Sequence, residues 1–455
     1  MMRSRNNTIT YTIVVPLIMV LLLSACRKSD YEVANGSVTI RDLGEGTGTV
    51  TWTKDKSYIL EGFVFVNDGQ VLTIESGTVI RAKTGQGSAA SALIVARGGK
   101  IIARGTSGEP IIFTVEDDDL EGSVPVDAQG LWGGLIILGR APLNLSNGEA
   151  HIEGIPLTEP RGVYGGQFPD DDSGILEYIS IRHAGTNIGE GNEINGLTLG
   201  AVGRNTTVNH VEVISCSDDG FEFFGGTVNC KYLLASFCGD DAFDFDLGYQ
   251  GKGQFWLAIQ DPGEGDKIVE CNGGSDPVTG QPYTLPQLYN ATFIGRGPGA
   301  GKKMIEFSLN GGGTFANSIM VLQDKGVFTE YVEGSQDSYK QFETGNLNVI
   351  NNVFFNVGNQ MPEGIFKVFA AEGTDVSQQN EMFASYFTDT ENKVADPGIT
   401  RDNDRYVLIP DDNVFDMLAP YPDPWFDEVS YKGAFYTYSW ISGWTLLYEA
   451  GYILD

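Results

Sequence analysis

Cys216-Ser217-Asp218-Asp219-Gly220-Phe221-Glu222-Phe223 is answered, 22 residues further on, by Cys238-Gly239-Asp240-Asp241-Ala242-Phe243-Asp244-Phe245. The cysteine, the two aspartates, the two phenylalanines and the acid between them all fall in register. Self-similarity at a fixed offset of this size marks a solenoid, in which each repeat is one coil laid on the last. Segments 176–181 and 208–213 read as earlier coils of the same kind. Segments 288–294, 314–320 and 346–354 continue the theme, each with Asn before or within its strand, and such Asn side chains are expected to stack as ladders inside the turns.

The surroundings agree. Val64-Phe65-Val66, Val71-Leu72-Thr73-Ile74, Leu93-Ile94-Val95 and Ile111-Ile112-Phe113-Thr114 are short β-rich runs bounded by turn residues. Glycine, at 59 of 455 residues, supplies much of that punctuation. No 3.6-residue apolar period lies between the runs, which excludes βαβ units. A sandwich or barrel of short strands remains as the competitor, and the internal repeat decides for a parallel β-helix. Like residues on adjacent coils should then lie about 4.8 Å apart.

The N-terminus reads differently. Arg3 and Arg5 precede an apolar run from Ile13 to Leu23, too short for a stable bilayer span. A basic start, a short apolar core and small residues behind it make a secretory signal peptide, residues 1–25. Leu23-Ser24-Ala25-Cys26 resembles a bacterial lipobox, which makes Cys26 the acylated first residue of the mature chain. Residues 26–40 follow as a linker, 41–370 as the β-helix and 371–455 as a C-terminal cap. Ser29-Asp30-Tyr31-Glu32 resembles a surface-export signal of Bacteroidota lipoproteins. The expected location is the outer membrane, lipid-anchored and facing the cell surface, with anchoring toward the periplasm as the alternative.

The net charge is −31, and loss of Arg3 and Arg5 with the leader makes it more negative. A field of that sign repels nucleic acid and anionic head groups and favours cations. Apart from Cys26 there are four cysteines, Cys216, Cys230, Cys238 and Cys271. Stacked coils bring Cys216 and Cys238 within disulfide reach, or leave them as two reduced buried thiols. Cys230 with Cys271 is the second pairing. Residues 144–174 and 261–287 read as insertions that wall a groove. Pro420, Pro422, Pro424, Trp425, Phe426, Tyr431, Phe435, Tyr436, Tyr438, Trp440 and Trp444 crowd the C-terminus, as a cap over the open end or an aromatic docking surface.

Trp132-Gly133-Gly134-Leu135-Ile136-Ile137-Leu138-Gly139, Ile181-Arg182-His183-Ala184-Gly185, Asn192-Glu193-Ile194-Asn195-Gly196-Leu197-Thr198-Leu199, 218–227 and Tyr431-Lys432-Gly433-Ala434-Phe435 resemble a group of Bacteroidota outer-membrane lipoproteins. The resemblance implies a pectate-lyase-like right-handed parallel β-helix. It implies no activity.

Chemistry concentrates in the acids. Alternation places Phe221, Phe223, Phe243 and Phe245 inward, and Glu222, Asp244 and Asp246 outward. Stacked carboxylates repel unless a cation, a basic partner or a raised pKa relieves them. Asp218, Glu222, Asp240, Asp244 and Asp246 are the candidate ligands for calcium, which takes six to eight oxygens; the bland alternative is turn-capping, solvated acids. Asp218, Asp219, Asp240, Asp241 and Arg182 are the catalytic candidates, with Lys231 or Lys252 as further bases for a lyase. His151, His183 and His210 are scattered, without metal-ligand spacing, and read as structural. The expected role is binding of a polysaccharide, or service as a scaffold to an outer-membrane protein partner. A polysaccharide lyase or hydrolase, and a structural or adhesive envelope protein, are the alternatives.

Overall fold

A computed structural model describes residues 30–34, 36–187, 193–274 and 276–454. The leader and Cys26 lie outside the described residues. The chain winds as a right-handed parallel β-helix, and the repeat sets its register: Phe221 lies against Phe243, Glu222 against Asp244, Phe223 against Phe245 and Phe224 against Asp246. The paired rings stack with centroids 5.4 and 5.1 Å apart. Asp30–Ala34 folds back antiparallel on Ser37–Arg41 and covers the free edge of the first coil.

Each coil contributes to three ribbons. One is a ten-stranded sheet running from Phe63–Val66 through Phe221–Phe224 and Phe243–Asp246 to Phe366–Phe369. The other two fuse into one large sheet, because Gly174–Arg182, Thr207–Ile214 and Asn229–Ser236 each serve both. These long strands bend at Tyr178, His210 and Tyr232, all left-handed (φ 51°, 53° and 57°). The next coils turn the same corner at Phe255, Asn290, Asn317 and Asn351. Asn tolerates this conformation, whereas the aromatics must be held there by their surroundings. The ladder continues to Lys393–Val394. Val269–Asn272 is also a ladder strand, inside a stretch whose prolines made all of 261–287 read as an insertion.

The core is the lumen of the coil. Trp256 packs against Phe243 and Phe245, and its indole N–H donates to the Cys230 carbonyl (3.0 Å). Cys216 and Cys238 occupy equivalent places on adjacent coils, as the repeat demands, but the disulfide reading is not realised: all four cysteines are buried free thiols. Cys230 and Cys271 lie on different sheets, so no stacking brings them together.

Residues 371–455 do not form one plug. Helix Ser377–Asp389 packs Phe383 and Phe387 against Phe366 at the last coils. The rest runs back along the side of the solenoid, over the left-handed corner. Asn351 donates to the Met417 carbonyl, and Asn317 exchanges hydrogen bonds with Ala419 (2.7 and 3.0 Å). Tyr421 donates to Asn290 (2.9 Å). The Asn column therefore faces this strap rather than the turn interior. A shorter ladder, Ser318–Asn352–Asn392, does run through buried backbone. Further back, Trp440 and Trp444 meet the edge of His210, whose ring is stacked between Tyr178 and Tyr232 at 4.3 Å on each side.

Burial in that stack lowers the His210 pKa to about 4. The group is neutral in the folded chain where an unfolded histidine, with a pKa near 6.5, already takes up a proton. Its contribution is complete above pH 6.5 and lost as pH falls toward 4, by roughly 2–3 kcal/mol. Relative to wild type, His210→Phe should therefore gain melting temperature at pH 4.5 compared with pH 7.5. Parallel pH profiles of the two proteins would refute this.

Candidate functional site

The ten-stranded sheet carries an acidic column on its outward face. Register places Thr198, Glu222, Asp244, Glu270 and Glu306 on successive coils. The alternation reading is correct for direction and wrong for environment. Glu222 and Asp244 are each 7% exposed, because the 144–174 insertion folds over this face. Ile152, Ile155 and Tyr164 of the insertion pack with Phe65, Ile94, Ile136 and Leu138 of the sheet. They bring Glu153 down to Glu222, and Asn195 donates to both carboxylates.

Three overlapping carboxylate groups result, each with one oxygen per residue within 4.8 Å of the others: Asp219 with Glu222 and Asp244; Asp218 with Asp219 and Asp240; and Asp240 with Asp241 and Asp266. The expected five-residue calcium set is thus divided, and Asp246 joins none of the groups. The third group is partly neutralised by Lys267, 2.7 Å from Asp266 and 3.5 Å from Asp241, and by Lys302, 2.8 Å from Asp266. Burial, then the neighbouring negative charges, pushes Asp219, Glu222 and Asp244 well above the usual carboxylate range, and burial does the same to Asp241 against the pull of Lys267. Burial and the neighbouring negative charges take Asp218 to about 8 and Asp246 to about 7.

Arg182 is elsewhere. It lies on the large sheet, 2% exposed, with its Nε donating to Ser180 Oγ (2.9 Å) and its other end 3.5 Å from Glu449. It meets none of the acids with which it was grouped as catalytic. Lys231 and Lys252 are likewise held by the strap, through Asp427 (2.8 Å) and Asp423. His183 is buried with its Nδ1 2.7 Å from the Ala128 carbonyl, and His151 lies between the Ile152 and Glu159 carbonyls. Glu270 and Glu306 were missed, although Val269-Glu270-Cys271 and Ile305-Glu306-Phe307 repeat the apolar–acid–apolar triplet of Phe221-Glu222-Phe223. Glu153 carries no such signal.

A concave surface lies nearer the N-terminus, where the insertion meets the solenoid flank. Two cavities of about 450 and 410 Å³ adjoin there and share Arg140 and Phe168. Arg97 and Arg161 line the first and Lys100 the second. Arg161 is braced by Asp42 (2.6 Å), by Glu159 (2.6 Å) and by the Phe65 ring, 3.8 Å below its guanidinium. Arg140 pairs at 3.0 Å with Asp68, which is mostly exposed. Phe168 is 64% exposed. Arg97 pairs with Glu149 and Lys100 with Asp172 (2.6 Å), and Asp170 and Asp171 also line the second cavity, so the depression gathers four acid-paired cations around an exposed ring.

A continuous three-ribbon solenoid with loops folded over one flank defines the pectate-lyase-like class of β-helix proteins. The family model for the pectate-lyase like beta helix domain matches residues 44–401, and the chain belongs to that family. No curated protein and no solved structure gives a significant match. Membership fits a polysaccharide-related role.

Proposed function

We propose that the protein binds an acidic polysaccharide in the paired cavities around Arg140 and Phe168, as a non-catalytic lipoprotein anchored at the outer membrane through Cys26. The observation that carries this reading is a depression in which three arginines and a lysine, each held in place by an acid, surround the exposed Phe168 ring. Arginine forks match carboxylate and sulfate groups, and an exposed phenyl ring offers a flat apolar face to a sugar. The Arg140–Asp68 pair is exposed, so its own worth is small and a ligand anion can replace Asp68. Binding is favoured over hydrolysis because Asp219, Glu222, Asp241 and Asp244 are all at most 7% exposed, which leaves the half-buried Asp218 and the exposed Asp240 as the accessible acids of the cluster. An outer-membrane protein that imports the captured chain is the natural partner for a surface lipoprotein of this kind.

The test is a glycan array followed by calorimetry on the best acidic oligosaccharide. Arg140→Ala and Phe168→Ala should each weaken binding roughly tenfold, or about 1.4 kcal/mol, and assays for new reducing ends or unsaturated uronates should stay flat. Binding that ignores both substitutions would overturn the site, and product formation would overturn the non-catalytic reading.

A further inference from the structure

We infer that Asp219, Glu222 and Asp244, with Asn195, hold one calcium ion beneath the 144–174 insertion. This site is separate from the glycan cavities. The three carboxylates present one oxygen each within 4.8 Å of the others. Even at that upper limit the centre of the three oxygens lies about 2.8 Å from each, so a small closing of the side chains brings all three to the calcium–oxygen distance of about 2.3–2.6 Å. Among the described residues, no lysine, arginine or histidine forms an ion pair with any of them. The group around Asp241 differs, since Lys267 and Lys302 serve it.

The second observation is unfilled hydrogen-bonding capacity. Asp244 Oδ1 is buried and has no hydrogen-bond partner. Asn195 Oδ1 is also buried without a partner, on a side chain 1% exposed whose nitrogen donates to Glu222. Buried acceptors of this kind are costly unless something satisfies them. The Gly196 N–H donates to the Asp219 carbonyl (2.9 Å), which lays Asn195 beside Asp219 on the next coil, and with its nitrogen on Glu222 the Asn195 amide belongs to the same enclosure. Four hard oxygens without nitrogen or sulfur suit calcium over zinc or copper. Glu153, on the insertion, reaches the same Glu222. The ion therefore ties the insertion to the solenoid as well as joining two coils.

The experiment uses the full mature chain, stripped with chelator and dialysed. Calorimetry and elemental analysis should show one tightly held calcium per chain. Calcium should raise the melting temperature by several degrees and protect the insertion from limited proteolysis, while equal magnesium does far less. Asp244→Asn and Asp219→Asn should each lose at least tenfold in calcium affinity. In chelator, Asp244→Asn should melt no lower than wild type, because burial already holds the ion-free Asp244 carboxyl neutral and Asn matches that neutral form. A stripped wild-type chain that takes up no calcium and melts identically with and without it overturns the site. So does calcium affinity unchanged in both variants. Should the variants not fold, terbium emission sensitised through nearby Tyr164 and displaced by calcium is the expected wild-type result, and its absence counts against the site.

Discussion

A chain ending at Asp416 is expected to be insoluble or to melt far below the full-length protein. The segment removed buries Phe435, Trp440, Ile441, Trp444 and Leu447, and it shields the ring column Tyr178–His210–Tyr232–Phe255. Burial of a large apolar side chain contributes about 1.5–3 kcal/mol. Five such side chains amount to roughly 10 kcal/mol, comparable with the whole net stability of an ordinary domain. The loss also strands the Asn290, Asn317 and Asn351 amides, which now bond strap carbonyls. The single-residue version is Trp444→Ala. Its ring is fully buried, lies 5.5 Å edge-on to Tyr178, and donates its N–H to the Trp440 carbonyl (2.8 Å). Truncation should cost roughly 3–5 kcal/mol, read by thermal or denaturant unfolding. A soluble, cooperatively melting chain without residues 417–455 would show the strap to be an ornament on a self-sufficient solenoid.

The solenoid was legible because its defining signal is one-dimensional. Cys216 to Phe223 and Cys238 to Phe245 align in sequence, and parallel stacking turns that alignment directly into contact. The inward phenylalanines and outward acids follow from alternation within a strand. What covers the acids does not, because it depends on a loop whose residues have no period. Ile152, Glu153 and Ile155 read as ordinary loop residues until they are seen lying on a sheet face far along the chain. The C-terminal aromatics failed in a related way. Their number signalled a large buried area, but their partners are the left-handed corner residues, and nothing in the sequence of Tyr178, His210 or Tyr232 announces a positive φ. The Asn residues at the later corners did carry a signal, correctly read as a column and incorrectly aimed inward.

Arg182 shows why a charged residue beside a strand is weak ground for a catalytic role, and its neighbours give the second large effect. Glu212 is fully buried. One of its oxygens accepts from Ser180 Oγ (2.6 Å) and the Leu446 N–H (2.9 Å), and the other from the Leu447 N–H (3.0 Å). Ser180 in turn accepts from Arg182 Nε (2.9 Å), so the two charges are joined through one hydroxyl. Burial pushes the Glu212 pKa up, against the pull of Arg182. The last turn of the strap is thus fastened to the solenoid by a buried acid whose countercharge sits one residue away. Glu212→Ala should lose roughly 3–5 kcal/mol, since it leaves a buried guanidinium and two backbone N–H groups without their acceptor. Arg182→Ala should be similarly harmful, and the double variant should lose clearly less than the two combined, because each change removes the reason the other is costly. A role in chemistry would give the opposite pattern: an Arg182→Ala protein that melts as wild type while its function disappears. Strictly additive losses would mean that Ser180 does not couple the pair, and that the strap is held by its tryptophans alone.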